Sequence, residues 1–235
     1  MSNKKLIVNA DDLGQSEGIN NGIIQAHEDG IVTSASLMVR YPAAATAADY
    51  AKNNPRLGVG LHVDLGEWFY SEGEWKPLYE VVSTDDIGAV KEEITRQLES
   101  FYRLMGRAPT HLDSHQHVHK RGLIRPLFIE LATKLNITLR GCGPLVDYCG
   151  DFYGQLSDGS PYHSAISVDG LLETISKLAV GITELACHPG QADDLNTMYK
   201  KEREIEVNTL CDQRIKDTIN NAGMELCSFA GITFS

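Results

Sequence analysis

Short β-like runs alternate with longer helical stretches along most of the 235-residue chain. Such alternation predicts βαβ units and a parallel sheet. The expected strands are Lys5–Asn9, Thr33–Val39, Gly58–Asp64, Thr110–Asp113, Ile137–Arg140, Thr183–Cys187 and Leu226–Phe229. The expected helices are Ser16–Glu28, Pro42–Asn53, Ile87–Met105, Leu123–Leu135, Val168–Leu178 and Met198–Asn221. Seven strands favour an α/β fold with a single domain over residues 1–235. The expected architecture is an eightfold TIM-like barrel or an incomplete one, and an open doubly wound sheet is the alternative.

Two segments, residues 66–86 and 141–167, fit the alternation poorly. Both are rich in Gly, Asp, Tyr and Ser. We interpret them as long, lid-like loops that could cover a site, and the second could also hold a short hairpin.

Charge and apolar patterning exclude several classes of protein. The formal net charge of −11 argues against nucleic acid as the main partner. A membrane span is not expected, because no run reaches about 18 apolar residues. The N-terminal apolar stretch from Leu6 to Val8 is too short for a secretory leader, so a cytoplasmic protein is expected. The five widely spaced cysteines predict reduced thiols rather than a disulfide framework or a zinc ribbon.

Residues able to bind a metal fall at or just past the carboxyl ends of the expected strands. In a barrel, and at the crevice of an open parallel sheet, these ends gather where active sites lie. Six of the eight histidines fall in such segments. The candidates are Asp11, Asp12, His62, His115, His117, His119 and His188.

Each candidate alone has a structural explanation. An Asp-Asp pair after a strand is commonly a turn or a helix cap. His62 has apolar neighbours and could be a core histidine, and His188 could be a plain loop residue. Four histidines and one aspartate between His111 and His119 could be a surface cluster. Taken together, these explanations would require all of the residues to share one face by accident.

Two imidazoles and one carboxylate leave open positions on a divalent ion, as hydrolytic metal sites require. A second carboxylate beside such a site can act as general base, and a further histidine can protonate a leaving amine. Adjacent Asp11 and Asp12 would point in different directions if the backbone there is extended. The pattern therefore indicates direct attack of water on an amide or ester. Motifs for a serine nucleophile, a dinucleotide or a Walker loop are absent from the sequence.

At these residues the chain resembles the YdjC-like carbohydrate deacetylase family, which includes the chitooligosaccharide deacetylases. The resemblance spans residues 6 to 190 in the family's order. Its most specific parts are Asn9-Ala10-Asp11-Asp12 and Asp113-Ser114-His115-Gln116-His117-Val118-His119. The other matching segments are 30–34, 60–62, 152–154 and 187–190.

This resemblance implies a distorted (β/α) barrel that binds one divalent ion, magnesium or zinc. Carried over by motif, the metal ligands are Asp12, His62 and His115; spacing alone does not separate His115 from His117 or His119. Asp11 is then the general base, and His188 is the general acid by analogy with the wider polysaccharide deacetylases.

Further roles are assigned to residues near these motifs. Arg140 is expected to orient Asp11 or a substrate oxygen, although a surface arginine is an equal alternative. His117 is expected to support the site or contact substrate. Tyr153, with Trp68, Tyr70 and Trp75, lies in or near the expected lids, where rings could stack on a sugar or form small separate cores.

The first functional hypothesis is removal of an N-acetyl group from a small amino sugar or chitooligosaccharide, phosphorylated or not, by a cytoplasmic enzyme that could be a homodimer. The second is a metal-dependent hydrolase of another bond, such as a phosphoester. The third is a non-catalytic metal- or sugar-binding protein, against which the spare carboxylate of Asp11 argues.

Overall fold

Eight parallel strands form the main sheet of the computed structural model, which describes residues 4–191, 194–195 and 197–232. Its strands are β1 (Lys4–Leu13), β2 (Ser34–Leu37), β3 (Gly58–Val63), β6 (His111–Ser114), β7 (Thr138–Leu139), β8 (Asp147–Cys149), β9 (Gly181–Cys187) and β10 (Glu225–Leu226). A separate hairpin consists of β4 (Gly66–Ser71) and β5 (Glu74–Glu80). The predicted parallel α/β fold is confirmed.

Seven helices connect these strands in the described part of the chain. They are α1 (Glu17–Glu28), α2 (Ala44–Asn53), α3 (Ile87–Met105), α4 (Arg125–Leu135), α5 (Val168–Lys177), α6 (Lys201–Cys211) and α7 (Gln213–Asn221). Local signals explain several ends: the Ser16 hydroxyl accepts a hydrogen bond from the Ile19 amide, and Gly106 ends α3 with a φ of 69°.

The prediction of a single helix over Met198–Asn221 is wrong, because the helix is interrupted at Asp212. This residue has extended backbone, and its carboxylate accepts a hydrogen bond from the Arg214 amide. Aspartate is a strong helix N-cap, so the second half restarts as a separate helix, α7.

The sheet is curved, as the contacts of Arg140 show. This residue comes directly after β7. The strand order is β7-β6-β3-β2-β1-β9-β8, so β7 lies four positions from β1. In a flat sheet that separation would be about 19 Å. The Arg140 guanidinium nevertheless lies 2.6 Å from Asp11 on β1 and 2.7 Å from Glu184 on β9. The sheet must curl into a barrel, which decides against the open doubly wound alternative.

Closure of this barrel is incomplete. Among the described residues, the two outer strands of the order, β7 and β8, do not pair with each other. An incomplete (β/α) barrel is therefore the architecture, and the interior near Arg140 is filled by side chains from β1, β6 and β9.

Residues 66–86, predicted as a loop, instead contain the β4–β5 hairpin. Its turn is Glu72–Gly73, where both residues have positive φ. Three consecutive aromatic residues, Trp68 to Tyr70, suit a strand, and Tyr70 pairs opposite Trp75. Residues 141–167 are mostly irregular but contain β8 and an isolated bridge between Gln155 and Pro161.

The core lies between the sheet and the helices, and β1 is its centre. From Leu6 to Leu13 every residue of β1 is buried, as is typical of a strand covered on both faces. None of the described helices is long and apolar enough to cross a membrane.

Candidate active site

Asp12, His62 and His115 meet at the carboxyl ends of β1, β3 and β6. One possible ligand atom from each lies within 4.8 Å of the other two, and all three residues are buried. The Nδ1 of His115 lies 3.0 Å from Asp12 Oδ1, and the Nε2 of His62 lies 3.4 Å from the same oxygen. Both imidazoles therefore converge on one carboxylate oxygen.

Asp12 reaches this position through an irregularity in β1. The pairing of β1 with β2 shifts register between Ala10 and Leu13, and Asp12 has a φ of 68°. Aspartate tolerates this left-handed conformation better than most residues. Asp11 and Asp12 do point to different partners, but the expected extended backbone is wrong, because the divergence comes from this local twist.

Asp113 fixes the ring of His62. Its Oδ1 lies 2.7 Å from His62 Nδ1. Its Oδ2 accepts a hydrogen bond from the Ser36 hydroxyl at 2.7 Å and forms an ion pair with Arg140 at 2.8 Å. With Nδ1 bonded to this carboxylate, Nε2 of His62 is turned toward Asp12. A carboxylate behind a histidine is the usual support of a metal-binding imidazole.

Burial lowers the pKa of His62, but the neighbouring carboxylates of Asp113 and Asp11 outweigh it and raise that pKa to about 9. The pKa of Asp12 lies well below its usual value, because Arg203 and His115 outweigh the effect of burial. In the metal-free site the carboxylates thus stabilise protonated imidazole, and a metal ion would have to displace that proton, because an imidazole binds a metal in its neutral form.

The donor set fits a divalent metal ion. His115 Nε2 is buried and has no hydrogen-bond partner among the described residues, although an imidazole nitrogen normally finds one. Two imidazoles and one carboxylate leave coordination positions open for water or substrate. Such nitrogen and oxygen ligands suit zinc and other transition metals better than magnesium, which prefers oxygen.

Arg140 donates two hydrogen bonds to the second carboxylate, that of Asp11. Its Nη1 and Nη2 donate to Asp11 Oδ2 and Oδ1, each at 2.6 Å, and the guanidinium is fully buried. Burial raises the pKa of Asp11, but Arg140 and His62 outweigh it and lower that pKa below its usual value. Asp11 is therefore ionised and fixed, and the surface-arginine alternative for Arg140 is wrong.

His188 follows β9 and faces Asp11. Its Nε2 lies 3.7 Å from Asp11 Oδ2, while its Nδ1 is buried and bonds with no residue in the described part of the chain. The rings of Tyr153 and Tyr199 stack on each other with centroids 4.7 Å apart, and both meet His188 nearly edge to face. Burial lowers the pKa of His188 to about 4, which leaves its imidazole neutral at neutral pH.

The other histidines of the His-rich segment have structural contacts. His111 stacks on Phe229 with centroids 4.0 Å apart, and His119 Nδ1 bonds with the Ser114 hydroxyl at 2.8 Å. His117, predicted to support the site or to touch substrate, bonds with the Tyr148 hydroxyl at 2.9 Å. It lines a cavity that is also lined by Asp11 and Asp12.

Arg203 belongs to the site and was missed by the sequence interpretation. Its Nη2 lies 2.6 Å from Asp12 Oδ2, and its Nη1 donates to the His188 carbonyl at 3.2 Å. The helix that carries it, α6, is rich in charged residues, yet its Glu202, Arg203 and Glu206 are all buried.

A cavity of about 880 Å³ opens over these residues. The hairpin supplies one wall through Glu67, Trp68, Phe69, Trp75 and Leu78. The segments near Tyr153 and Met198 supply another. The segments expected as lids therefore do border the site, and Tyr153 lies beside His188.

The chain is similar to one known protein family along most of its length. A family model described as YdjC-like protein matches residues 5–221. A carbohydrate deacetylase from Geobacillus stearothermophilus is 34% identical over 95% of this chain and 96% of its own length. A carbohydrate deacetylase from Vibrio parahaemolyticus is 29% identical over 97% and 96% of the two chains.

Solved structures share the fold. A protein from Enterococcus faecalis V583, named for a proposed role in cellobiose-phosphate cleavage, aligns over 99% of this chain and 100% of its own at 26% identity with a TM-score of 0.80. A family 4 carbohydrate esterase from Streptomyces lividans, in complex with acetate, covers 97% and 93% of the two chains at 16% identity with a TM-score of 0.59.

Proposed function

The chain belongs to the family of YdjC-like proteins, and from this membership and the site geometry we propose that it is a metal-dependent hydrolase that removes the N-acetyl group of a short amino sugar and releases acetate. The names of its relatives, carbohydrate deacetylases, support the reaction class. The fold shared with a carbohydrate esterase supports the architecture of the site.

One observation carries the proposal: two adjacent aspartates have separate surroundings. Asp12 faces the two imidazoles, whereas Asp11 lies against Arg140 and near His188. A binding protein needs only the first carboxylate. A hydrolase that uses water directly needs both, one to hold the ion and one to take a proton.

Asp12, His62 and His115 would hold the ion. When bound, a divalent metal ion supplies a Lewis acid for an acyl oxygen and lowers the pKa of water. Neighbouring residues orient these ligands: Asp113 bonds with His62 Nδ1, and Arg203 compensates the charge at Asp12 Oδ2.

Asp11 takes the proton of the attacking water. Its lowered pKa keeps it ionised at neutral pH, and the two hydrogen bonds from Arg140 keep it in one orientation. Arg140 is thus assigned to Asp11 rather than to a substrate oxygen.

His188 delivers a proton to the leaving nitrogen. Because its imidazole is neutral before the reaction, it must first receive a proton. Asp11 Oδ2 lies 3.7 Å away, so the proton taken from water can pass to His188 Nε2 and then to the amine. One proton leaves the water and one reaches the nitrogen, which balances the cleavage of an amide into an amine and acetic acid; the acid then ionises to acetate.

The cavity favours a short saccharide as substrate. Its volume of about 880 Å³ falls within the range of small-molecule sites, roughly 300–1,000 Å³. Aromatic side chains from the hairpin and from Tyr153 line it beside the charged cluster, and such rings pack well against sugar faces.

A two-metal phosphoesterase fits less well. A second group of possible ligands, Asp11, His62 and Asp113, shares His62 with the first. Arg140 lies 2.6 Å from Asp11 and 2.8 Å from Asp113, so a guanidinium already compensates these two carboxylates. A second cation there would have to displace a buried, hydrogen-bonded arginine.

Acetate release tests the proposal. Purified protein would be incubated with N-acetylglucosamine, diacetylchitobiose and their 6-phosphates, with and without a chelator, and then with added Zn²⁺. We expect acetate from at least one saccharide, loss of activity with chelator and recovery with metal. Hydrolysis of a phosphoester such as p-nitrophenyl phosphate without acetate release from any saccharide would refute the proposal.

A further inference from the structure

Gln116, the residue after His115, bonds with the hairpin that forms one wall of the cavity. Its Oε1 accepts a hydrogen bond from the Trp68 amide at 2.9 Å, and its Nε2 donates to the Trp68 carbonyl at 2.8 Å. One side-chain amide thus satisfies both backbone groups of one residue, as a neighbouring strand would. We call this pair of hydrogen bonds the Gln116 clasp.

Trp68 is available for this clasp because the hairpin ladder is imperfect there. The register of β4 against β5 shifts between Glu67 and Trp68. The residue opposite Trp68 is Pro77, which has no N–H to donate. Pro77 therefore cannot donate to the Trp68 carbonyl, and Gln116 Nε2 makes that hydrogen bond instead.

The backbone around Gln116 is strained in a way that aims this side chain. Gln116 and His117 have φ values of 48° and 55°, two consecutive left-handed residues that are not glycine. Such conformations persist only where the surroundings enforce them. Here His115 is fixed by Asp12 on one side, and His117 is bonded to Tyr148 on the other.

The clasp holds two cavity-lining side chains at the site. Glu67 Oε2 lies 3.8 Å from the Nε2 of His115. The guanidinium of Arg121, five residues after Gln116, lies 4.6 Å from the Trp68 ring centre and makes a second contact with the hairpin. A shift of the hairpin would therefore move a carboxylate and an indole relative to the catalytic residues.

We propose that Gln116 is a positioning residue that sets the affinity for the saccharide by fixing Glu67 and Trp68 in the cavity wall. The saccharide part rests on the proposed function, whereas the fixing of the hairpin does not. Gln116 acts through the hairpin and contributes to KM rather than to the chemical step.

Hydrogen exchange at the Trp68 amide tests the clasp without any substrate. Gln116→Met keeps the length of the side chain and removes both hydrogen bonds, and we expect exchange at Trp68 to speed up about tenfold. Gln116→Glu can still accept from the Trp68 amide but cannot donate to its carbonyl, so an intermediate rate is expected. Gln213→Met is the matched control, because Gln213 is exposed and bonds with Asp217 on its own helix, α7.

Tryptophan emission gives an independent readout, since both tryptophans of the chain, Trp68 and Trp75, lie in the hairpin. In a Trp75→Phe background the emission reports Trp68 alone. We expect Gln116→Met to increase quenching by acrylamide, and Gln213→Met to leave it unchanged.

Kinetics with diacetylchitobiose test the consequence. We expect Gln116→Met to raise KM about tenfold with kcat within about threefold of the wild type. Unchanged Trp68 exchange and quenching in Gln116→Met would overturn the clasp, and a fall in kcat at constant KM would overturn its assignment to affinity. If the wild type releases no acetate from any saccharide, the proposed function fails, and exchange alone decides whether Gln116 fixes the hairpin.

Discussion

Arg203 and Asp12 form a buried ion pair, with Arg203 Nη2 2.6 Å from Asp12 Oδ2. The other carboxylate oxygen of Asp12 is the one that faces His62 and His115. The pair therefore assigns one oxygen of Asp12 to the arginine and leaves the other for the ion. Since Arg203 also donates to the His188 carbonyl, helix α6 joins the ends of β1 and β9 at the site.

Replacing Arg203 by Met should destabilise the metal-free protein more than the metal-loaded one. Removal of one partner leaves a buried charge on Asp12, which costs about 3–5 kcal/mol. A bound divalent ion compensates the same carboxylate, so the loss should be smaller with Zn²⁺ present. Chemical denaturation of both forms measures the difference, and Arg203→Lys, which keeps the charge, is the control. Equal losses in the two forms would show that Arg203 acts through packing instead.

Asp11→Asn should abolish most turnover while metal binding remains. The amide keeps the size of the side chain but cannot take a proton from water, and general bases contribute about 10²–10⁴-fold to a rate. Acetate release and calorimetric titration with Zn²⁺ measure the two properties separately. Full activity in Asp11→Asn would mean that another group is the base.

Substitutions should distinguish the three metal ligands from the other histidines between His111 and His119. Asp12→Ala, His62→Ala and His115→Ala should each abolish tight binding of Zn²⁺, because each removes one of three ligand atoms that lie within 4.8 Å of one another. His117→Gln should keep one-to-one binding, since His117 faces Tyr148. Loss of the ion in His117→Gln, or its retention in His115→Ala, would assign the ligands differently.

Much of the fold could be predicted because local signals mark its elements. Helix α3 has the predicted bounds Ile87–Met105, and β1 is recognisable as an apolar run that leads into Asp11 and Asp12. The candidate site could be located because parallel strands bring their carboxyl ends to one face.

Other features depend on tertiary contacts that no local pattern shows. Nothing in the sequence of α6 shows that Arg203 turns inward, since a charged helix normally faces solvent. The left-handed Asp12 depends on the register shift in β1, and the orientation of Gln116 depends on the hairpin. The aromatic run from Trp68 to Tyr70, with the turn Glu72-Gly73 after it, was a signal that could have revealed the hairpin.

Glu206 should make the stability of the protein depend on pH. It is buried beneath His188, where its carboxyl group accepts hydrogen bonds from the Tyr199 hydroxyl at 2.5 Å and from the His188 amide. Burial raises its pKa to about 8, although these hydrogen bonds act in the opposite direction.

Between the ordinary value of 4.5 and about 8, the folded state therefore binds this proton more tightly than the unfolded state does. The stabilisation is fully present below pH 4.5 and is lost as the pH rises through about 8. Gln cannot titrate and resembles the protonated acid in size, so Glu206→Gln should gain stability relative to the wild type as the pH rises from 5 to 8. Urea unfolding of both proteins at several pH values measures this difference, and parallel curves would show that Glu206 titrates like an exposed carboxyl group.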